Sequence, residues 1–186
     1  MRGTFIKALT ALAAVLGLVA VGAAAPAQAE SRHKVGYTQV VVAPDVYDLV
    51  AGAGITPAAV GGAKAFAYKG TLAARFPIRG YSLKKLRIKH SGGISLTAGS
   101  ASITLRRFTI DLRRLKVTGK VSGSAVGNAG RVDLFTIRRS DRRDLGLVSL
   151  RLTAVAAGAL NATFGVSAFS AGDTFGYATP RPLGRF

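Results

Sequence analysis

Beyond residue 30 the chain is written as short runs in which apolar and polar positions alternate, with Gly, Ser and Thr between them. That period of two, rather than 3.6, predicts strands of an antiparallel sheet. Across residues 83–90, Leu86, Ile88 and His90 share one face while Lys85, Arg87 and Lys89 share the other, which puts His90 on the core side. Gly92-Gly93 offers a turn into a strand over 94–98. Over residues 102–112 the alternation runs through Ile103 and Leu105, then resumes in the opposite phase at Phe108, Ile110 and Leu112. A bulge or bend at Arg106-Arg107 accounts for the change of phase. Two further strands are predicted over 115–121 and 131–138, parted by the Gly, Ser and Asn of 122–130.

Two segments depart from this pattern. Pro44-Asp45 opens a stretch that Gly52 and Gly54 can stop, which predicts a short helix over 44–51. Residues 153–164 are Ala-rich, with Leu160 and Phe164 four apart and Gly165 beyond them, and predict a second helix. The expected fold is mainly β: an antiparallel sandwich- or barrel-like single domain with one or two short helices, without an internal linker or a repeat.

The N-terminus reads differently. Arg2 and Lys7 precede an apolar run from Ala8 to Ala25, and the small residues Ala27 and Ala29 end it as a signal-peptidase site would. Residues 1–29 are therefore expected to be a secretory signal peptide. A membrane anchor is the alternative, because the run is long enough to insert. Residues 30–186 are then the secreted β-rich domain, extracellular or in the cell envelope. No later segment offers the roughly 20 uninterrupted apolar residues of a spanning helix, so none is expected in the mature chain.

Charge changes the functional picture. The 186 residues carry 26 Lys and Arg against 8 Asp and Glu, a formal net charge of +18, yet 49% of them are hydrophobic, too many for a disordered polyelectrolyte. Zero Cys excludes a disulfide, a thiolate metal site and a cysteine nucleophile, and two His with a single Glu leave little for acid–base chemistry. An enzyme is not expected, nor a bound metal. Basic doublets recur at Lys84-Lys85, Arg106-Arg107, Arg113-Arg114, Arg138-Arg139 and Arg142-Arg143. Such a field attracts polyanions without choosing among them, so anionic cell-wall polymers or lipid head groups are candidate partners. A dedicated nucleic-acid partner is disfavoured by the lack of Trp, of an RNA-binding aromatic motif and of a helix-turn-helix signal. The mixed run 138–144 reads as a surface turn whose Asp141 and Asp144 neutralise neighbouring arginines.

His90 is the sharpest candidate. A lone imidazole on the inner face of a strand commonly hydrogen-bonds backbone; beside an apolar pocket it can also ligate haem iron or steady a tyrosine ligand. Tyr37, Tyr47, Tyr68, Tyr81 and Tyr177 supply phenols, and no spacing chooses among them.

Four stretches carry a resemblance: Phe76-Pro77-Ile78-Arg79-Gly80; Ile88-Lys89-His90-Ser91-Gly92-Gly93-Ile94; Leu105-Arg106-Arg107-Phe108-Thr109-Ile110-Asp111; and Leu152-Thr153 followed by Ala159-Leu160-Asn161-Ala162-Thr163-Phe164-Gly165. In order and spacing they resemble a group of secreted actinobacterial β-domain proteins and, more distantly, the HtaA haem-binding domain family of corynebacterial surface proteins. The resemblance implies an exported, non-enzymatic β-rich binding module that can take haem as a cofactor. In the haem-binding domains a tyrosine near the domain start ligates the iron and a histidine after the following strand supports it. By position His90 is similar to that histidine, and Tyr47, before Asp48-Leu49-Val50-Ala51-Gly52, is the nearest match to that tyrosine. The family's opening Trp-Gly is absent and Pro44-Asp45 put Tyr47 on a helix, which leaves Tyr37 as the alternative. Two functions follow as expectations: an HtaA-like binding module with haem at His90 and a tyrosine, or a basic structural or adhesive envelope protein holding anionic wall polymers.

Overall fold

The computed structural model describes residues 36–183 and 186; the expected signal peptide lies outside the described residues. Eleven strands and two helices form among them. In chain order these are β1 (Tyr37–Val42), α1 (Pro44–Gly52), β2 (Thr56–Val60), β3 (Lys64–Tyr68), β4 (Thr71–Ser82), β5 (Arg87–His90) and β6 (Gly93–Ala98). They continue as β7 (Ala101–Asp111), β8 (Lys116–Gly123), β9 (Gly127–Arg139), β10 (Val148–Leu152), α2 (Ala154–Phe164) and β11 (Thr174–Arg181). Every pairing is antiparallel. The ladder runs β7-β5-β4-β1-β11-β10-β9-β8 and closes through β7–β8, so eight strands make a barrel. β6 and β2 extend the sheet beyond β7, and β3 lies along β4. The barrel and its core are complete within residues 36–183, and no helix among the described residues is long and apolar enough to cross a membrane.

β7 organises one wall. Its first half pairs with β6, its second half with β5, and most of its length with β8. The phase change at Arg106-Arg107 is a bulge: the β7–β8 register slips between Arg106 and Thr109, and Arg107 stands at φ +53°. Ile103, Leu105, Phe108 and Ile110 all reach the interior as a result. Gly92-Gly93 does not join β5 to β6 as a hairpin; the two strands lie end to end along β7, with Arg107 N–H donating to Gly92 O at 2.9 Å across the break. Leu86 and Leu112 are exposed in turns, so the first strand of this wall starts at Arg87 rather than Leu83.

α2 closes one side of the interior with Ala156, Ala157 and Leu160. Thr153 caps its start, accepting from Ala156 N–H at 3.1 Å and donating to Asp133 O at 2.7 Å, and Gly165 ends it at φ +65°. Both ends of the Asn161 amide are used on Phe169, donating to its carbonyl at 2.8 Å and accepting from its N–H at 3.0 Å. A second apolar cluster sits on the outer face of β1, β4 and β11, where Leu145 covers Val41, Ala73 and Tyr177.

Candidate functional site

His90 ends β5 where two irregularities meet. The β4–β5 ladder slips between Ile78, its partner, and Gly80; opposite, the bulge of β7 leaves the Phe108 carbonyl against the ring. His90 Nδ1 lies 3.3 Å from Phe108 O and Nε2 lies 2.7 Å from Thr38 Oγ1. A carbonyl only accepts, so Nδ1 carries the proton, and Nε2 accepts from the Thr38 hydroxyl. Burial pushes the imidazole pKa down from 6.5 to about 4, against the opposing pull of the Phe108 bond. The ring is neutral at pH 7, and both His90 and Thr38 are buried.

On the inner side of His90 is a cavity of about 80 Å³, walled by Phe76, Phe108, Phe135 and Phe175 among other apolar side chains. Pockets that accept small-molecule ligands run to about 300–1,000 Å³. No tyrosine lines this cavity. Tyr47 is half-buried on α1. Tyr37 precedes Thr38 on β1, so its side chain takes the opposite face, where the Arg75 guanidinium stacks 4.8 Å from the ring. Tyr177 belongs to the outer cluster, and burial pushes its phenol up. The Nε2 lone pair already accepts from Thr38, no phenol lines the cavity, and the space is small. The residues around His90 therefore do not fit a haem in this structure.

On the outer side, His90 backs a groove of about 410 Å³ across β4, β5, β7, β8 and β9. Its walls are Arg79, Arg87, Lys89, Arg107, Arg114, Lys120 and Arg131, with Asp111 their single carboxylate. Asp111 is already engaged: it accepts from Arg113 and Arg114 N–H at 3.1 Å and from Arg87 Nε at 2.7 Å. The Arg114 N–H first, and then the Arg87 guanidinium, hold its carboxyl below the usual range although burial opposes them. Arg131 is fixed across the strands, donating to Thr118 Oγ1 at 3.0 Å and to Arg107 O at 3.0 Å. Arg79, Lys89, Arg107 and Lys120 form no ion pair among the described residues. Lys120 stands opposite Arg106 in one ladder and opposite Arg131 in the other, an arrangement of like charges that disfavours the sheet.

Only two members of the basic doublets, Arg107 and Arg114, reach this groove; the rest of its cations are isolated in sequence and converge through strand register. Only part of the run 138–144 is the expected surface turn: Arg138 and Arg139 end β9, paired with β10, and the exposed turn begins at Asp141. Asp144 accepts from Arg142 Nε at 3.1 Å and is held in its ionised form chiefly by that bond, whereas Asp141 forms no ion pair among the described residues.

No family model matches the chain, and no curated protein matches it. Among solved structures, the C-terminal domain of HtaA from Corynebacterium glutamicum matches 77% of this chain and 94% of its own length, at 14% identity and a TM-score of 0.55. The heme binding protein HtaB of the same organism matches 78% of this chain and 90% of its own length, at 12% identity and a TM-score of 0.54. At these identities the likeness is one of fold. The likeness read from the motifs of β4, β5 and β7 is met by one of fold: the chain is distantly similar in structure to these HtaA-family proteins over 77–78% of its length.

Proposed function

We propose that the chain is an exported, non-enzymatic binding module of HtaA-like fold that holds anionic polymers of the cell envelope in the groove of β5, β7, β8 and β9. One observation carries this reading: the sheet sets Lys120 between Arg106 and Arg131, in a groove where Arg79, Lys89 and Arg107 likewise form no ion pair among the described residues. A bound polyanion would turn that repulsion into attraction. At the groove itself, His90 is bonded at both nitrogens and Asp111 is held ionised. The test is binding of long-chain inorganic polyphosphate across a salt series. Affinity falls with salt, and Lys89→Gln with Lys120→Gln lowers the slope of log affinity against log salt by roughly 1.4, about 0.7 for each contact removed. A slope and affinity unchanged by the double variant would remove the groove from the binding surface.

A second reading, haem capture, is favoured by the fold likeness to a heme binding protein. It asks Thr38 to release Nε2 and a phenol, Tyr47 or Tyr37, to approach. Ferric haem added to the protein then shifts its Soret band, and His90→Ala, Tyr47→Phe or Tyr37→Phe alters that spectrum; no shift at all ends this reading and leaves the groove.

A further inference from the structure

Two turns of the barrel carry one six-residue pattern. Ser82-Leu83-Lys84-Lys85-Leu86-Arg87 joins β4 to β5, and Asp111-Leu112-Arg113-Arg114-Leu115-Lys116 joins β7 to β8. Their local structure repeats as well. A side-chain oxygen of the first residue accepts the N–H three positions on, from Lys85 at 3.2 Å in one turn and from Arg114 at 3.1 Å in the other. The second leucine of each is left-handed, Leu86 at φ +49° and Leu115 at φ +48°. Gly or Asn is the ordinary occupant of that region, and a branched aliphatic residue is out of place there. The turns lie side by side at one end of the barrel, because Arg87 pairs with Asp111 in the β5–β7 ladder. Leu112 N–H donates to Leu86 O at 2.9 Å and Arg113 Nη2 to Lys84 O at 2.9 Å.

The side chains of the four leucines lie outside the packed interior. Their exposures run from 42% for Leu112 to 78% for Leu83, and none belongs to either core cluster. Tyr81, also exposed, precedes the first turn. Between the leucines, the Lys84 and Lys85 side chains make no ion pair or hydrogen bond among the described residues. A polyanion dissolved in water would engage the cations and gain little from the leucines. A surface that rewards both is apolar within and anionic at its face.

We propose that this end of the barrel docks on an anionic lipid bilayer. Leu83, Leu86, Leu112 and Leu115 enter the boundary between head groups and acyl chains, and Lys84, Lys85 and Arg113 meet lipid phosphates. The contact is interfacial; the turns share Arg87 and Arg114 with the groove on the barrel wall, whereas the four leucines, Lys84, Lys85 and Arg113 are not among the groove's lining residues.

Residues 30–186, which contain the closed barrel, are sedimented with vesicles of mixed phosphatidylglycerol and phosphatidylcholine, and with phosphatidylcholine alone. Binding is expected to the anionic vesicles and to weaken with salt. Leu83→Ser with Leu112→Ser lowers it by about tenfold or more, the scale set by withdrawing leucine side chains from an apolar phase. Lys84→Gln with Lys85→Gln also weakens it. The chain has no Trp, so Leu83→Trp places a lone reporter whose emission shifts to the blue on anionic vesicles. Polyphosphate binding by the leucine variant reads the groove and stays as in the parent. Failure to bind anionic vesicles overturns the proposal. So does equal binding by the leucine variant, or bound protein whose reporter emission does not shift, because attraction would then rest on charge alone.

Discussion

Acidification should destabilise the barrel through His90 before it touches the carboxylates. The folded imidazole has a pKa near 4 against 6.5 for the free group. Above pH 6.5 the ring is neutral in both states, and below about 4 it is charged in both. Between those values the unfolded chain binds a proton that the folded chain refuses, so unfolding takes up a proton and stability falls as the pH falls. The displacement from 6.5 to about 4, at 1.36 kcal/mol per unit, amounts to about 3 kcal/mol, a large share of the 5–15 kcal/mol of a typical domain. His90→Gln keeps a donor for Phe108 O and an acceptor for Thr38 without a titrating group. Urea unfolding of both proteins from pH 8 to pH 4 supplies the comparison. The stability difference between them should change by about 3 kcal/mol across the window, with the parent losing more. Asp111, Asp133 and Asp144 are held below the ordinary carboxylate value of 3.8, by hydrogen bonds and neighbouring cations. Their stabilising contributions are lost lower on the scale and in both proteins, so they cancel. A difference that stays flat, or a His90 imidazole resonance, assigned by its loss in His90→Gln, titrating near 6.5 in the folded protein, would refute the reasoning.

Thr38→Val removes the hydroxyl that donates to Nε2 and leaves a buried acceptor without a partner; a loss of about 1–3 kcal/mol is expected by urea unfolding, with the barrel retained by circular dichroism. Gly93→Ala drives a methyl into Leu105 O and towards Arg106 Cα across the β6–β7 ladder, whereas the nearest atoms to a methyl at Gly119→Ala belong to side chains, Leu134 Cδ1 and the Phe108 ring. Melting temperatures should fall further for Gly93→Ala, with about 1–3 kcal/mol for the overpacked Gly119→Ala, and the reverse order would contradict the register of β6 on β7. Thr153→Ala uncaps α2 and orphans a bond to Asp133 O, at a cost of about 0.5–2 kcal/mol by the same unfolding assay.

Where side-chain burial sets the pattern, the sequence is legible. The slip from Ile103 and Leu105 to Phe108 and Ile110 shows the bulge at Arg107, since one inserted residue exchanges the two faces of a strand. Thr153 and Gly165 mark α2 by capping chemistry that acts within one turn. Leu86 and Leu112 are misleading for the same reason that the others are informative. They continue an alternation of apolar positions, but both stand in turns, and the left-handed backbone of Leu86 leaves no signal in propensity. Gly92-Gly93 looks like a hairpin. Gly93 is needed because β6 approaches Leu105 O too closely for a side chain, a requirement that exists only once β6 and β7 are paired. The groove is hidden more deeply, because its cations span positions 79 to 131 and meet only through the registers of five strands.

The histidine shows why a motif carries a fold further than it carries a ligand. At Ser91-Gly92 the chain leaves the β5 ladder, and the interior must satisfy the Phe108 carbonyl on β7 and the Thr38 hydroxyl on β1. A neutral imidazole offers one donor and one acceptor at the required separation. No apolar residue could do so, and Asn or Gln would have to reach as far with a more flexible side chain. Among the described residues no buried side-chain nitrogen or oxygen is left without a partner, so this bridge completes the interior. A histidine at this position is thus accounted for by the barrel alone, and its likeness to a haem-supporting histidine is evidence about strand breaks before it is evidence about iron. Ligand chemistry would be carried by whatever faces Nε2, and here that is Thr38.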